Sequence, residues 1–323
     1  MRVSRRCLTA LAIATTAQRA AAQPSEHISG TIRIVVPFPP GGITDIVGRA
    51  LAQQLTVILG NAVVVENRPG ANGSIGTSIA ARALPDGTTL LLGVTDTHAV
   101  NPAAMRNLPY DPLRDFVSVS NITNVPLVLA VGPTRKEADL QGFIAAAKAQ
   151  PGVLTNASWG VGSTSQIAML RLADAAGFEL LHVPFTGAAP AAQALAAGQV
   201  DSMVLPAGAG EALSRDGGIR LLAALSPARL FLLPGLPTLQ EQGVVLSVSI
   251  YQAVFAPTRT PGPIVERLNG AIRQALRAGP LLEVLRSQAA IPEPTSPQGL
   301  TELVRREQDA WGRIIRASNI RLE

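Results

Sequence analysis

The sequence predicts an α/β protein whose core is a mainly parallel β-sheet with helices on both faces. Short apolar runs, such as the one at residues 32–36, alternate along the chain with segments whose apolar residues recur at helical spacing. The alternation restarts near residue 126, and 323 residues are enough for two units of about 150 residues each. Hydrophobic residues make up 47% of the chain but aromatic residues only 3%, so alanine, leucine and valine must pack the cores.

Each strand is predicted where a short apolar run ends at turn residues, and each helix where apolar residues recur every three or four positions. Strands are expected at 32–36, 63–65, 88–94, 116–119, 126–131, 153–157, 180–183, 200–205, 219–225 and 245–256. Helices are expected at 46–55, 71–83, 140–149, 166–176, 189–197, 262–277, 280–287 and 297–316. Residues 101–124 contain several proline breakers and are expected to be irregular outside the strand at 116–119.

The net charge of +5 and the pI near 10.3 do not indicate a nucleic-acid partner. Four of the 27 basic residues and none of the 22 acidic residues lie in residues 1–22, which leaves 23 basic residues and a net charge of +1 for the rest. Because the remaining arginines are scattered, no basic patch is predicted.

The first 22 residues have the pattern of a secretory signal peptide. Arginines at the front precede an apolar segment at 7–17, and an A-x-A cleavage site follows at 20–22. The arginine pair at 5–6 also resembles a twin-arginine export motif. The alternative is a basic N-terminal arm. Cys7, the only cysteine, lies in this segment, and no later run reaches the ~20 apolar residues of a membrane span, so we expect a periplasmic protein without a thiol.

Two glycine turns, one in each half of the chain, are the candidate binding elements. The first is PFPPGGITD at 37–45, where a strand ends, a glycine pair leaves the backbone open, and Thr44 or Asp45 can cap the next helix. The second is SWGVGST at 158–164, which also precedes a helix. Helix N-termini present unpaired N–H groups that suit a carboxylate, so two such turns facing each other would form a cleft for a small anion. An ordinary tight turn is the alternative for each.

Motifs for catalysis or for cofactor binding are incomplete. No segment matches the phosphate-binding G-x-x-x-x-G-K-[ST] pattern, and residues 160–165 lack the third glycine of a dinucleotide fingerprint. Residues 72–76 lack the first glycine of a serine nucleophile elbow. His98 follows a strand on the expected ligand side and is the one histidine that is a candidate for ligand contact, whereas His182 is expected in the core. We therefore expect no catalytic residue, no metal and no cofactor.

The turns also carry a resemblance to a known family. In chain order, the matching segments are IRIVVPFPPGGITD, VVVENRPGANGSIG, ALPDGTTLLLG, NPAAM with LPYDP, PGVLTNASWGVGS, HVPFTGAAPA, AAGQVDSM and LPGLPTLQEQG. Each is only a turn by itself, but together they cover nearly the whole mature chain. The sequence resembles the Bug (TctC-like) extracytoplasmic solute receptors of tripartite tricarboxylate transporters.

The resemblance implies a two-lobed, periplasmic binding protein-like fold of the type II, Venus-flytrap kind. Each lobe would be a mainly parallel sheet flanked by helices, and two strands would cross between the lobes. Lobe 1 is expected at 28–125 plus 246–323, and lobe 2 at 126–245. The resemblance also implies that the lobes close on a small ligand and that a membrane permease is the partner.

In this family a ligand carboxylate is typically held by backbone groups and ordered water at the first glycine turn, and second-lobe residues complete the pocket. The first-lobe candidates are Phe38, Gly42, Thr44, Asp45, Thr95, Asp96 and Thr97. The second-lobe candidates are Ser158, Gly162, Ser163, Pro184, Phe185, Gly187, Ala189 and Asp201. Asp45 can equally be a helix cap, and Asp201 would suit a ligand amino group if it faces the pocket. Departures from the family at Trp159, Gln166 and Thr186 concern the ligand more than the fold.

The sequence therefore favours a periplasmic solute-binding protein, not an enzyme. It would capture a small carboxylated metabolite, such as a di- or tricarboxylate, an amino acid or an aromatic acid, and deliver it to a permease of the tripartite tricarboxylate type. It is expected to be a monomer without nucleic acid. The alternative is an exported, hydrolase-like enzyme that uses the same cleft, and the incomplete nucleophile and base motifs argue against it.

Overall fold

A computed structural model describes residues 28–277 and 279–317. The expected signal peptide at 1–22, with Cys7, lies outside the described residues, as do His27 and residues 318–323 of the expected lobe 1. No helix within the described ranges is long and apolar enough to cross a membrane.

Helices and strands alternate along most of the described chain. The strands are β1 (Ile32–Val36), β2 (Val63–Asn67), β3 (Thr89–Val94), β4 (Phe116–Val131), β5 (Thr155–Ser158), β6 (Leu181–Pro184), β7 (Ser202–Pro206), β8 (Arg220–Ala224), β9 (Ser249–Pro257) and β10 (Ile291–Pro292). The helices are α1 (Ile43–Leu59), α2 (Ser74–Ala81), α3 (Asn101–Ala104), α4 (Leu140–Ala149), α5 (Thr164–Ala176), α6 (Ala188–Ala196), α7 (Ala207–Arg215), α8 (Gly262–Ala275), α9 (Pro280–Ser287) and α10 (Pro297–Ala317). A π-helical turn, Asp96–Val100, precedes α3.

The strands form one curled, mixed sheet. Its main path runs β2-β1-β3-β9-β4-β7-β5-β6, and β8 and β10 each pair with β4. β1 is parallel to β2 and β3, and β5 is parallel to β6 and β7. β4 and β9 are antiparallel to each other and to their other neighbours on the path. Two parallel groups joined by two antiparallel strands give the two-lobed α/β architecture that the sequence predicts.

We call β1–β3 with α1–α3 and α8–α10 the first lobe, and β5–β8 with α4–α7 the second lobe. β4 belongs to both. It pairs with β9 from Phe116 to Pro126, and its next residues, from Leu127 to Val131, pair with β7. The chain therefore changes sheet partners within one continuous strand, at Pro126.

The prediction of two short strands at 116–119 and 126–131, with irregular chain between them, is wrong. The polar residues between them remain in the ladder, where Ser120, Asn121 and Thr123 are fully buried. The backbone N–H of Asn121 donates to Thr295 Oγ1 at 3.0 Å, so this buried polar group has a partner. Two register shifts in the pairing with β9 act as bulges, which let a strand of such composition stay paired.

Helix α1 begins directly after the first glycine turn, and its apolar residues recur at helical spacing. Val47, Leu51 and Leu55 are fully buried, and burying a side chain of this size contributes about 2 kcal/mol. The helix ends at Gly60, which adopts φ 75° and donates its N–H to Thr56 O, an arrangement that glycine favours.

The helices at 262–277, 280–287 and 297–316 are confirmed as α8, α9 and α10. Helix α7 was not predicted because Gly208 and Gly210 lower its helix propensity. Gly208 has a packing reason, since a Cβ at this position would lie 2.4 Å from Gln288 Cα, just after α9.

Candidate functional site

The first glycine turn exposes an uncapped helix N-terminus. Gly41 adopts φ 85°, and Gly42 is the N-cap of α1 with an extended conformation and no side-chain hydrogen bond to the helix. The N–H groups of the first helical turn have no earlier turn to bond to, and they carry the positive end of the helix dipole. This end of α1 can therefore accept a carboxylate.

Asp45 stabilises this turn from behind. Its Oδ2 accepts hydrogen bonds from the N–H of Gly41 at 3.0 Å and from Arg49 Nε at 3.0 Å, and its Oδ1 accepts one from Asn67 Nδ2 at 2.9 Å. Burial raises the pKa of this carboxyl, but these hydrogen bonds and the Arg49 charge outweigh burial and bring the pKa below its ordinary value. Of the two roles predicted for Asp45, the local structural role is the one supported by its contacts.

A cavity of about 30 Å³ lies between the lobes at this turn. Its lining comes from both lobes and consists of Phe38, Pro39, Gly42, Ile43, Thr44, Val94, Asp96, Trp159, Ala188, Ala189, Pro206 and Ile250. The cavity has room for about two water molecules, so a larger ligand requires the lobes to separate. Of the predicted site residues, it brings together Phe38, Gly42, Thr44, Asp96 and Ala189.

The lobes touch across this cavity, so the structure is closed. A Cβ at Gly187 would lie 2.9 Å from Pro39 Cγ, which shows how closely the second lobe approaches the first turn. Asn72 Nδ2 in the first lobe donates to Gly162 O in the second lobe at 3.3 Å. Gly187 and Gly162 therefore contribute to lobe contact, and neither lines the cavity.

The second glycine turn also ends at a helix N-terminus, but the protein itself occupies it. Ser163 is the N-cap of α5, and its hydroxyl accepts from the N–H of Gln166 at 3.4 Å. Gln166 Oε1 accepts from the N–H of Gly162 at 2.6 Å. The S-x-x-Q spacing of these two residues is a capping-box pattern visible in the sequence, although the Gln166 side chain bonds the N–H one residue before the N-cap.

Asp96 from the first lobe supplies the remaining acceptor at α5. Its Oδ1 accepts from the Thr164 N–H at 2.5 Å and from Thr164 Oγ1 at 3.0 Å, and its Oδ2 accepts from Trp159 Nε1 at 3.4 Å. Asp96 is 1% exposed, and burial raises the pKa of its carboxyl despite these hydrogen bonds. The hydrogen-bond acceptor at the N-terminus of α5 is therefore a side chain of the protein.

Several predicted residues have structural partners and do not line the cavity. Thr95 Oγ1 accepts from the Tyr251 N–H, and Thr97 Oγ1 bonds both backbone groups of Val94. Ser158 Oγ donates to Gly160 O at 2.9 Å. Pro184 is the last residue of β6. The N–H of Phe185, the next residue, donates to Ser158 O.

Asp201 does not line the cavity, so the condition under which it would meet an amino group of the ligand is not fulfilled in this structure. Its Oδ2 accepts from the N–H and the hydroxyl of Thr155 at 2.8 Å, and its Oδ1 lies 3.6 Å from Arg135 Nη1. Thr155 begins β5 and Asp201 directly precedes β7, whereas the cavity lies beyond the carboxyl ends of these strands, at Trp159 and Pro206.

His98 is not available to a ligand either. Its ring is fully buried and stacks on Phe255 with 3.9 Å between ring centroids, and burial lowers its pKa to about 3. His182, which was expected in the core, is only half-buried: it contacts Ser158 Oγ at 2.7 Å and Gln166 Nε2 at 3.0 Å and lines an open hollow on the second lobe.

The apolar lining residues Ile43, Val94, Pro206 and Ile250 were not predicted. Each lies at or near an end of a strand or helix, and an apolar residue there gives no chemical signal in a sequence. Trp159, which the sequence marks only as a departure from the family, lines the cavity from the second lobe.

A separate, more open hollow of about 1000 Å³ lies on the second lobe. Residues of α5, residues 177–182 and Ala317 at the end of α10 contribute to its lining. It shares no lining residue with the cavity between the lobes, and no residue of the first glycine turn lines it.

Comparison with known proteins now identifies the family. The family model described as "Tripartite tricarboxylate transporter family receptor" matches residues 47–320. The chain belongs to this family. The receptor is 35% identical to the protein BugT of Bordetella pertussis, over 96% of each chain. The resemblance stated from the sequence is thereby confirmed.

Solved structures agree with the receptor's fold. A structure described as R. palustris Rpa4515 with adipate has a TM-score of 0.88 at 32% identity and covers 91% of this chain and 98% of that chain. MatC (Rpa3494) from Rhodopseudomonas palustris with bound malate has a TM-score of 0.85 at 32% identity and covers 90% of this chain and 100% of that chain. The periplasmic binding protein-like fold class is confirmed.

Proposed function

We propose that this receptor binds a small carboxylated ligand between its lobes, with the ligand carboxylate at the N-terminus of α1. One observation carries the proposal: the uncapped N-terminus at Gly42 lines a cavity to which both lobes contribute. The adipate and malate bound to the two similar structures are small carboxylates, which supports this ligand class.

The residues proposed to contact the ligand are those that line the cavity around this terminus. From the first lobe they are Phe38, Gly42, Ile43, Thr44 and Asp96, and from the second lobe Trp159 and Ala189. Backbone N–H groups would hold the carboxylate, Thr44 Oγ1 would add a hydrogen bond, and the aromatic rings would exclude water.

Closure around the ligand would follow from movement about β4 and β9. We assign the lobes to 28–125 plus 246–323 and to 126–245, because β4 changes its sheet partner from β9 to β7 between Pro126 and Leu127. A ligand that contacts both lobes favours the closed form, and the closed form is what a partner would recognise.

The proposed partner is a membrane permease of the tripartite tricarboxylate transporter type, to which the periplasmic receptor delivers its ligand as a monomer. The signal peptide expected at 1–22 would direct export to the periplasm by the general or the twin-arginine route. Among the described residues that line the cavity, Asp96 is the one titratable side chain, and no histidine, lysine or cysteine is present to activate the Thr44 hydroxyl, which argues against a hydrolase.

A ligand screen with a variant at Gly42 tests this function. The panel contains glycine, L-alanine, L-valine, acetate, propionate, isovalerate, malate and adipate, and the free energy of unfolding is measured with each. A ligand at 100 times its Kd should stabilise the receptor by about 2.7 kcal/mol. Gly42→Leu should weaken the best ligand at least about 100-fold, because the new side chain would fill the cavity and block the α1 N-terminus.

Gly42 can accept a side chain without backbone strain, since its φ is −80° and the nearest atom to a Cβ is Pro39 O at 4.0 Å. The matched control is Gly262→Leu at the start of α8, where a Cβ would meet nothing within 4 Å. The control should bind the ligand as the wild type does. Absence of binding by every carboxylate, or equal affinity in the Gly42→Leu variant, would overturn the proposal.

A further inference from the structure

A continuous chain of hydrogen bonds joins the second glycine turn to β6 through His182. Gln166 Oε1 accepts from the Gly162 N–H at 2.6 Å, and Gln166 Nε2 lies 3.0 Å from His182 Nδ1. On the other side of the ring, His182 Nε2 lies 2.7 Å from Ser158 Oγ, and that hydroxyl donates to Gly160 O at 2.9 Å. Two backbone groups of the turn are therefore linked, each through one side chain, to a single imidazole ring.

The backbone fixes the direction of every hydrogen bond in this chain. The Gly162 N–H can only donate, so the Gln166 oxygen must face it and the Gln166 NH2 group must face the ring. Nδ1 of His182 therefore accepts, and the ring proton is on Nε2. The other end agrees, because the Ser158 hydroxyl gives its one proton to Gly160 O and accepts from Nε2–H. The neutral Nε2–H tautomer satisfies every atom of the chain.

A protonated His182 does not fit this arrangement. Its second N–H, at Nδ1, would face the Gln166 NH2 group, which is a donor against a donor. If the Gln166 amide turned over to accept from Nδ1–H, its nitrogen would face the Gly162 N–H instead. In either case one donor is left without an acceptor, immediately before the N-cap of α5, because Gln166 has a single acceptor oxygen.

The turn that His182 holds takes part in closure. Gly162 O accepts from Asn72 Nδ2 of the first lobe at 3.3 Å. Trp159, in the same turn, is 6% exposed and lines the cavity between the lobes. Displacing Gly162 therefore acts on a hydrogen bond that joins the lobes and on one wall of the cavity.

Protons have access to His182 from the open hollow on the second lobe, which the half-buried ring lines. The charged residues that line the same hollow are Lys148 of α4, Asp174 of α5 and Glu179 before β6. Among the contacts of residues 28–277 and 279–317, none joins these three to the ring, whose partners are the neutral side chains described above. Burial lowers the pKa of His182 below its ordinary value of 6.5, in agreement with a ring that stays neutral.

We propose that His182 is a positioning residue that holds the second glycine turn in its closed arrangement only while the ring is neutral, so that protonation opens the lobes and weakens ligand binding. The inference goes beyond the ligand class of the proposed function but rests on its lobe closure. The sign follows from the second ring proton, which the closed form excludes. Stabilisation of the closed form is therefore complete above pH 6.5 and is lost as the pH falls through the lowered pKa.

Nitrogen-15 NMR of the imidazole rings tests the first step without a ligand. The chain contains three histidines, and the signals that disappear in His182→Gln assign this ring. At pH 7.5 the long-range 1H–15N spectrum should show His182 as the Nε2–H tautomer, and the pKa of the ring should lie below 6.5. An Nδ1–H tautomer, or a ring that is protonated above pH 6.5, would overturn the proposal.

Trp159 fluorescence follows closure, again without a ligand. The chain has two tryptophans, so Trp311→Phe leaves Trp159 as the sole reporter. Lowering the pH from 7.5 to 5.5 should shift its emission to the red as the indole becomes exposed, and the shift should be smaller with His182→Gln in the same background. Asp96, which accepts from Trp159 Nε1, titrates in both proteins, so the difference between them isolates His182. Equal shifts would contradict the proposal.

Gln166→Glu should reverse the effect on the ring. A carboxylate has two acceptor oxygens, so it can accept from the Gly162 N–H and from a protonated Nδ1 at once, and its charge favours the protonated ring. Calorimetric Kd values for malate and adipate are measured at pH 7.5 and 5.5. The wild type should lose about threefold to tenfold more affinity than His182→Gln at pH 5.5, since an open form with the ordinary pKa of 6.5 allows at most about tenfold. Gln166→Glu should lose less affinity than the wild type.

Failures of the two ideas are distinguishable. If no carboxylate binds, the proposed function is wrong, and the NMR and fluorescence results still decide the role of His182. If malate or adipate binds and all three proteins lose affinity by the same factor, the function stands and the inference is wrong, because protonation of the ligand affects the three alike. If His182→Gln does not fold, the comparison of Gln166→Glu with the wild type decides, and equal losses overturn the inference.

Discussion

The N-termini of α1 and α5 have similar local sequences, but one is uncapped and the other is capped by the protein's own side chains. Both follow a strand and a glycine turn, and both lie at the junction of the lobes. At α1 the N-cap is Gly42, which has no side chain to bond the helix. At α5 the N-cap is Ser163, and Asp96 from the other lobe bonds the Thr164 N–H.

The difference teaches that a glycine turn before a helix is not by itself an anion site. What decides is whether the protein supplies its own acceptors. At α5 the hydroxyl of Ser163, the amide of Gln166 and the carboxylate of Asp96 all accept from backbone N–H groups. At α1 the nearest carboxylate, Asp45, turns back to Gly41 and Arg49, which leaves the first turn of the helix facing the cavity.

The largest expected effect on stability comes from replacing Asp45. This substitution tests whether the Asp45 side chain holds the first glycine turn in place at the start of α1. Asp45→Asn should lower the free energy of unfolding at pH 7 by about 2 kcal/mol, because three charge-assisted hydrogen bonds are weakened. Ligand affinity should change less than about threefold. Urea denaturation and calorimetry measure the two quantities.

The pH dependence of this effect has a definite sign. The folded-state pKa of Asp45 lies below its ordinary value of 3.8, so its stabilisation is complete well above pH 3.8 and is lost as the pH falls through the folded pKa. The difference between wild type and variant should therefore shrink in acid. A difference that is constant down to pH 2.5, or a large loss of ligand affinity at pH 7, would contradict the structural role of Asp45.

A smaller effect is expected from the cap of α5. Ser163→Ala should lower the free energy of unfolding by about 1 kcal/mol, the usual cost of losing an N-cap hydroxyl. The matched control is Asp139→Ala, which removes the side chain that caps α4 by accepting from the Gly142 N–H at 2.8 Å. Both variants should bind ligand within about threefold of wild type. Loss of binding in Ser163→Ala alone would mean that α5 takes part in ligand binding.

The elements around α1 were predictable because their signals are local. An apolar run, three prolines, a glycine pair and a helical repeat all fall within residues 32–55, and the structure has a strand, a turn and a helix in that order. The three C-terminal helices were predictable for the same reason. The long β4 was not, since whether Asn121 is paired or exposed depends on β9, far along the chain.

The hydrogen bond from the Thr164 N–H at the start of α5 to Asp96 could not be predicted from a local pattern, because the two residues are 68 positions apart and belong to different lobes. The position of Asp201 could have been predicted. The strand expected at 200–205 already placed Asp201 at its start, and ligands in such sheets bind beyond the carboxyl ends of the strands. The direction of the strand therefore excluded Asp201 and pointed to Pro206.

A crystal structure of the receptor with its best-binding carboxylate tests the central claim most directly. The account predicts that the ligand carboxylate lies within hydrogen-bond distance of the Ile43 and Thr44 N–H groups, while Asp96 stays on Thr164. A carboxylate bound instead at Thr164, with Asp96 turned away from α5, would contradict it.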